Sequence, residues 1–168
     1  VSIEIDPGAE IFRPEEILAD EGKFGGHAAI VDWEGSWSGL GLAVALAHQA
    51  NCVYIISPDF FIAAGLSARG EFKSLYQAAF RQGIQFMPQT EVTGIGANSI
   101  SIKDRFSYRE KVLVGLDCIV LAAPNHPEND LYQGLLGRGV EVWTAGDCTA
   151  PGNFGAAVRE GFQVGIRI

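Results

Sequence analysis

The sequence predicts a three-layer α/β fold with a central parallel sheet and a small antiparallel β insertion. Residues 27–57 combine a buried strand, a glycine-bearing turn, a helix of small residues and a second apolar strand. Residues 117–123 form a nearly all-apolar run, which is typical of a central strand covered on both faces. Between them, residues 91–115 contain alternating apolar and polar positions, as antiparallel strands do. A strand–helix–strand unit with glycine in its first turn makes this a Rossmann-like dinucleotide-binding fold.

The individual elements follow from hydrophobic periodicity and from turn residues. Pro14, followed by two glutamates, predicts a short amphipathic turn at residues 14–19. Residues 1–26 as a whole are predicted to be a connector that packs loosely on the domain. Further strands are predicted at residues 28–31, 52–57, 84–88 and 140–145, and helices at 39–50, 71–82, 131–136 and 153–168. Residues 91–115 are predicted to form two or three antiparallel strands, with turns near 96–98 and 104–105.

The composition sets limits on the partners of the chain. Its 168 residues correspond to about one domain, and 48% apolar residues are ample for a core. A net charge of −8 argues against nucleic acid or an anionic membrane as the main partner. No apolar run approaches the roughly 20 residues of a membrane span, and no signal peptide opens the sequence. Phosphate binding stays open, because backbone amides at a helix start bind phosphate locally.

The cysteines and histidines predict neither a metal site nor a catalytic residue. Cys52, Cys118 and Cys148 are far apart and lack Cys-x-x-Cys spacing. Two of them lie in predicted strands, where a buried free thiol is the usual state. A cytoplasmic location is the corresponding expectation. The histidines are scattered without a partner pattern, and all three are expected to be surface or half-buried residues: His27, His48 and His126.

The turn after the first strand keeps only part of a dinucleotide fingerprint. Gly35, Gly39 and Gly41 are the candidate cofactor-binding residues, since glycines allow backbone to approach a pyrophosphate. Asp32 and Glu34, however, stand where glycines are usual and are expected to repel a phosphate. The small residues of the following helix still allow close packing on the sheet. Two interpretations remain: a nucleotide bound here, or a structural relic, which the two acids favour.

A second candidate site follows the predicted strand 140–145. Gly146 and Asp147 end this strand, and Asn153 begins a helix rich in Gly and Ala. A carboxylate at a strand end can accept hydrogen bonds from a ribityl or ribose hydroxyl, while the helix start faces a phosphate or a flavin carbonyl. The alternative is that Asp147 is only a turn residue that bonds nearby amides.

Three stretches together resemble a known family. The Gly146-Asp147 stretch resembles the C-terminal Gly-Asp motif of flavoproteins with two dinucleotide folds. The D-x-x-G-x-x-x-G-x-x-x-A pattern of Asp32, Gly35, Gly39 and Ala43 resembles one branch of these proteins. This branch comprises the multidomain NADH:flavin oxidoreductases of the old yellow enzyme family, of the trimethylamine dehydrogenase and 2,4-dienoyl-CoA reductase type. Residues 11–19 are similar to the segment that precedes the last nucleotide-fold domain there.

The resemblance implies that this chain is one part of a larger protein, whose other domains hold the FMN and the iron–sulfur cluster. Such proteins carry an N-terminal barrel with FMN and an iron–sulfur cluster, followed by FAD-like and NAD-like domains. Here, residues 1–26 would be the connector, 27–139 the NAD-like domain, and 140–168 the strand and helix that return to the FAD-like domain. The barrel and the FAD-like domain are the implied partners, and a homo-oligomer is possible. ADP, FAD or NAD(P) are the possible ligands of this chain, with none certain. The acidic turn fits the trimethylamine dehydrogenase branch, in which the NAD-like domain no longer binds nicotinamide.

The leading hypothesis from the sequence is thus a C-terminal nucleotide-fold module of an FMN and iron–sulfur oxidoreductase. The whole protein would oxidise amines or reduce enoyl compounds, and the module alone would be inactive. The alternatives are a self-standing domain that binds ADP, NAD or FAD, and a purely structural, degenerate Rossmann module.

Overall fold

The parallel sheet at the centre of the fold holds the candidate turn in place. The computed structural model describes residues 3–19, 25–67 and 70–168, and in these residues eight strands form two four-stranded sheets. The strands are β1 (Glu4–Ile5), β2 (His27–Asp32), β3 (Cys52–Ile56), β4 (Gln85–Met87), β5 (Thr90–Gly96), β6 (Ser99–Asp104), β7 (Glu110–Val114) and β8 (Cys118–Ala122). The helices are α1 (Pro14–Ala19), α2 (Trp37–Leu46), α3 (Phe72–Arg81), α4 (Asp130–Leu135) and α5 (Phe154–Gly165).

The parallel sheet has the strand order β4-β3-β2-β8, with every pair parallel. Numbered along the chain, these four strands lie in the order 3-2-1-4, which matches the first four positions of the Rossmann order 3-2-1-4-5-6. β2 is buried from Ala28 to Asp32 because it lies between two strands and between two layers. The predicted central parallel sheet and Rossmann-like fold class are confirmed.

The two outer layers differ in kind. One face of the parallel sheet packs against α1, α2 and α3 through apolar side chains that include Ile17, Leu40 and Leu75. The other face packs against the second sheet, whose order is β1-β5-β6-β7, through residues such as Val92 and Ile100. The predicted antiparallel insertion is therefore the third layer of the domain, and β5, β6 and β7 are its three antiparallel strands.

The start of the chain packs more tightly than the sequence predicts. β1 pairs in parallel with β5, and the Phe12 amide donates to the Ile119 carbonyl at 2.9 Å. Ile17 on α1 is buried against the helix-side core. The expectation of a loosely packed connector is wrong at α1, where Pro14 and Ile17 are buried, because a short amphipathic segment still buries its apolar side. Residues 1–2 and 20–24 of that connector lie outside the described residues.

A second compact unit follows the first, which ends at Ala123; it comprises Pro124–Ile168. In this unit α4 and α5 confirm the two predicted helices, and Asn153 caps α5 rather than belonging to it. The predicted strand at residues 140–145 is wrong: a strand needs a neighbour to bond its backbone, and no ladder includes these residues in the described part of the chain. The domain boundaries predicted at residues 26 and 139 stay predictions.

Candidate functional site

The turn between β2 and α2 lies where open α/β sheets bind ligands. β2 and β8 are neighbours in the sheet, and the strand order reverses between them, which is where open α/β sheets have a crevice at the carboxyl ends of their strands. Asp32 is the last residue of β2 and lies opposite Ala122 of β8. The following amide, that of Trp33, still donates to the Ala122 carbonyl at 2.9 Å. The sheet therefore fixes the position of Asp32 firmly.

Asp32 does not face solvent, contrary to what a phosphate-repelling surface charge would require. Its side chain is fully buried. Its Oδ1 accepts a 2.8 Å hydrogen bond from the Gly35 amide, which closes the turn on itself. Its Oδ2 has no hydrogen-bond partner among the described residues. Glu34, by contrast, is exposed. The two acids of the turn therefore act differently, since only Glu34 presents its charge directly to an approaching ligand.

Burial controls the charge of Asp32. Desolvation raises the pKa of this carboxyl to about 6, the Gly35 hydrogen bond opposes that rise, and the negative charge of Glu34 adds to it. Asp32 thus keeps a proton to a higher pH than an ordinary aspartate. A group that changes charge near neutral pH lies at the start of α2.

The glycines predicted from the motif are required by close packing. A Cβ on Gly39 would lie 2.5 Å from the Asp32 carboxyl carbon, so a side chain cannot fit there. Gly35 has a φ of +64°, a backbone conformation that favours glycine. Gly41 is looser, because a Cβ there would meet the edge of the Trp37 ring at 3.1 Å. Gly35 and Gly39 therefore serve the internal packing of the turn around Asp32.

Two of the amides that a phosphate would use at this turn already have partners within the protein. The Gly35 amide donates to Asp32, and the Ser38 amide donates to the Ser36 hydroxyl at 3.2 Å, which caps α2. A pyrophosphate at a Rossmann turn is held by such amides at the helix start. The residues present therefore do not fit a pyrophosphate at this turn as it stands.

The motif did not reveal the loop that covers this turn. The Gly65 amide donates to the Gly35 carbonyl at 2.9 Å, and a Cβ on Gly65 would lie at the same distance from that oxygen. Asp59 on the same loop reaches to within 3.2 Å of the Cβ position of Gly35. The only sequence signal for this approach is the small-residue run that ends in Gly65, which a search for fingerprints overlooks.

Gly146, Asp147 and Asn153 come together at the start of α5, in the second unit. Gly146 has a φ of +77°, and its amide donates to the Glu160 carboxylate at 2.7 Å. Asp147 is exposed and accepts from the Gly152 amide at 3.2 Å, while the Asn153 side chain accepts from the Ala156 amide. These contacts match the turn-residue interpretation of Asp147. Its exposure also leaves the carboxylate accessible to a hydroxyl group.

A cavity of about 320 Å³ lies within the second unit, near this turn. Its lining is polar and aromatic, and the Arg167 guanidinium lies 5.8 Å from the centre of the Trp143 ring. Glu160 lines the cavity and holds the Gly146 amide. None of the three predicted residues of this unit is among its lining residues.

The remaining candidates show no further site. The three cysteines are free thiols, and burial raises the pKa of Cys118 to about 11, with the charges of Glu10 and Asp117 adding to the rise. In the described ranges, no cluster of His, Cys, Asp and Glu has the geometry to hold a metal ion. Among the same residues, no helix has the length and apolar character that crossing a membrane requires.

The parallel sheet and its first turn define the fold class. A parallel sheet of order 3-2-1-4 with a glycine turn at its switch point, covered by a small antiparallel sheet, is a Rossmann-like fold of the kind seen in FAD-binding domains. No protein-family model matches the chain, and no curated protein matches its sequence.

Three solved structures resemble the fold of this chain over nearly its whole length. Histamine dehydrogenase from Rhizobium sp. 4-9 matches 98% of this chain with a TM-score of 0.87 at 20% identity. The 6-hydroxypseudooxynicotine amine oxidase from Pseudomonas geniculata N1 matches 96% with a TM-score of 0.85 at 23% identity. A 2-naphthoyl-CoA reductase matches 94% with a TM-score of 0.77 at 17% identity. All three are of the trimethylamine dehydrogenase or old yellow enzyme type, and the resemblance seen in the sequence is confirmed in the fold.

The match covers a small part of each of these proteins. The chain spans 27% of the histamine dehydrogenase chain, 24% of the amine oxidase chain and 23% of the reductase chain. What the chain shares with them is therefore the fold of one quarter of their length.

Proposed function

We propose that this chain is the C-terminal nucleotide-fold module of a multidomain flavin oxidoreductase. One observation carries the proposal: nearly the whole chain matches one quarter of histamine dehydrogenase at a TM-score of 0.87. A module of this kind packs against catalytic domains and holds no reacting atom itself. The pattern Asp32, Gly35, Gly39 and Ala43 supports the same assignment from the sequence side.

In this proposal the chemistry lies in other domains. A barrel with FMN and an iron–sulfur cluster, and an FAD-like domain, are the proposed partners, and a cytoplasmic location belongs to the same proposal. The Gly146-Asp147 turn would contribute half of a nucleotide site, which the FAD-like domain would complete.

The amine dehydrogenase branch is favoured over the enoyl reductase branch. Two of the three matched proteins act on amines by name, and these two have the highest TM-scores. The turn at Asp32 points the same way, because its amides bond within the protein and leave no cradle for a nicotinamide dinucleotide.

The test uses the protein encoded by the complete gene. We expect it to show the absorbance of bound flavin, to contain iron, and to reduce an artificial electron acceptor when an amine is supplied. The 168-residue chain alone should do none of these. NADH turnover by the isolated chain would contradict the proposal, as would a complete gene that encodes no barrel domain.

A self-standing nucleotide-binding domain is the alternative outcome. Calorimetry of the isolated chain with ADP, NAD and FAD distinguishes the two. Micromolar affinity for one of these ligands would support the self-standing domain, and millimolar or absent affinity the proposed module.

A further inference from the structure

The start of α2 contains a negative charge that comes from inside the fold. Gly39 is the third residue of α2, and the position of its missing Cβ lies 2.5 Å from the Asp32 carboxyl carbon and under 3 Å from both carboxyl oxygens. The carboxylate therefore lies against the backbone of the first helical turn. α2 carries no acidic residue of its own in that turn, so Asp32 is the acid that meets its positive end.

A hydrogen bond fixes the position of the Asp32 carboxylate, but it does not neutralise the negative charge. Oδ1 is fixed by the Gly35 amide at 2.8 Å. Oδ2 is buried and has no hydrogen-bond partner among the residues that the structure describes. The backbone amides of Gly35, Ala63 and Glu34 lower the pKa of this carboxyl and so stabilise part of its charge. The partial positive charge of the helix N-terminus adds to that stabilisation.

We propose that Asp32 is the built-in counter-anion of α2: it supplies from within the negative charge that a bound phosphate would supply from outside, and so excludes anions from the turn. The consequence is a specificity role, in which one residue decides whether this turn accepts a phosphate group. The inference rests on the proposed origin of the turn in a nucleotide-fold module.

Protonation of Asp32 would then open the turn. Three other titratable groups of the described chain face it: Glu34 on the same turn, Asp59 on the covering loop, and Tyr76 on α3. Glu34 and Asp59 are exposed carboxylates, and burial raises the pKa of the Tyr76 hydroxyl, so Tyr76 stays neutral. Asp32 is thus the member of the group that changes charge near pH 6.

The experiment measures sulfate binding by the 168-residue chain. Sulfate is the probe because it remains a dianion at every pH used. Amide NMR shifts of Gly35, Ser38 and Gly39 report binding at this turn alone, whatever sulfate does elsewhere on the surface. The compared proteins are the unchanged chain, Asp32→Asn and Glu34→Gln. The two variants remove the same amount of charge from the same turn, one buried and one exposed.

We expect Asp32→Asn to bind sulfate at these amides about tenfold more tightly than Glu34→Gln at pH 7.5. In the unchanged chain, binding should strengthen as the pH falls from 7.5 to 5, and in Asp32→Asn it should not change over that range. Equal affinities in the two variants would overturn the proposal, since any lost charge would then have the same effect. Absence of binding in both would overturn it as well.

If Asp32→Asn does not fold, the unchanged chain decides by itself. Sulfate binding that is flat from pH 7.5 to 5 overturns the proposal, and binding that strengthens through about pH 6 supports it. His27 lies at the opposite end of β2 and does not adjoin the reporting amides. The family assignment is tested separately, because amine-dependent activity of the complete protein does not depend on sulfate binding.

Discussion

A buried carboxylate at the end of β2 makes stability depend on pH. The Asp32 pKa is about 6 in the folded protein and 3.8 for an ordinary aspartate, so the folded state binds the proton more strongly. Between these values the folded state holds more protons than the unfolded state. The Asp32 contribution to stability is therefore full below pH 3.8 and falls as the pH rises through 6.

The first prediction follows for Asp32→Asn, which keeps the shape of the side chain and removes its charge. Relative to the unchanged chain, the variant should gain about 2 kcal/mol in free energy of unfolding between pH 4.5 and 7.5. Urea denaturation of both proteins across that range measures the difference, in which contributions from other groups cancel. A difference that is constant with pH would show that Asp32 has an ordinary pKa in the folded state.

The second prediction concerns Gly39. A Cβ there would meet the Asp32 carboxyl group at 2.5 Å, so Gly39→Ala should cost about 2 kcal/mol by overpacking. The cost should shrink in the Asp32→Ala background, where the space is free. Gly161→Ala is the matched control, because that helical glycine has no neighbour within 4 Å and should be neutral or slightly stabilising. Urea denaturation followed by tryptophan fluorescence tests all of these variants, and equal costs in both backgrounds would show that the two residues are not coupled.

Single residues of the turn could be predicted from the sequence, but their orientation could not. The pattern marks Gly35 and Gly39 as positions where a side chain does not fit. Whether Asp32 faces solvent or the protein depends on the layers that cover β2. One of these layers, the loop around Gly65, comes from a part of the chain with no recognisable motif.

At the scale of elements, α1 is the place where packing departs most from the prediction. Ile17 is 1% exposed and contacts the helix-side core, whereas its neighbour Leu18 is 61% exposed. The third prediction is that Ile17→Ala costs about 3 kcal/mol in free energy of unfolding, while Leu18→Ala changes it by less than about 0.5 kcal/mol. Chemical denaturation of the two variants compares them directly. Equal and small losses of stability in both variants would support the prediction of a loosely packed connector.

Strands whose burial is evident from their own sequence are predicted well. A strand whose existence depends on a neighbouring strand is not. β2, β3 and β8 lie close to their predicted bounds because a continuous apolar run shows burial on both faces. Residues 140–145 are also rich in strand-forming residues such as Val140 and Val142, but a strand exists only where another strand bonds to it. The sequence pattern indicates that a segment tends to form a strand, but it does not indicate whether a neighbouring strand is present to pair with it.

The whole molecule consists of two units with unequal cores. The unit up to Ala123 contains every buried residue of the described chain, and Pro124–Ile168 contains none. α5 exposes apolar side chains at regular spacing, namely Phe154, Val158 and Phe162. The layered architecture of the first unit could be read from the sequence. The lack of a core in the second unit could not, since its sequence also contains apolar residues at helical spacing.

The fourth prediction follows from that difference. Backbone amides of α4 and α5 should exchange with deuterium much faster than those of β2, β3 and β8, because few buried contacts oppose local opening. Hydrogen exchange followed by mass spectrometry resolves the segments. Comparable protection in both units would mean that the second unit has a stable core of its own. In the complete protein proposed above, protection of α5 should rise.

Two of the free thiols can report on local opening, because Cys118 and Cys148 lie in different units of the molecule. Cys118 lies buried in β8 with a pKa of about 11, so an alkylating reagent can reach it only when the parallel sheet opens. Cys148 lies half-buried beside Asp147, in the unit without a core. The rate at which Cys118 is modified therefore measures the opening of the sheet. The rate at which Cys148 is modified measures the movement of the Gly146-Asp147 turn. A partner domain that docks on this turn would slow the second rate and leave the first unchanged.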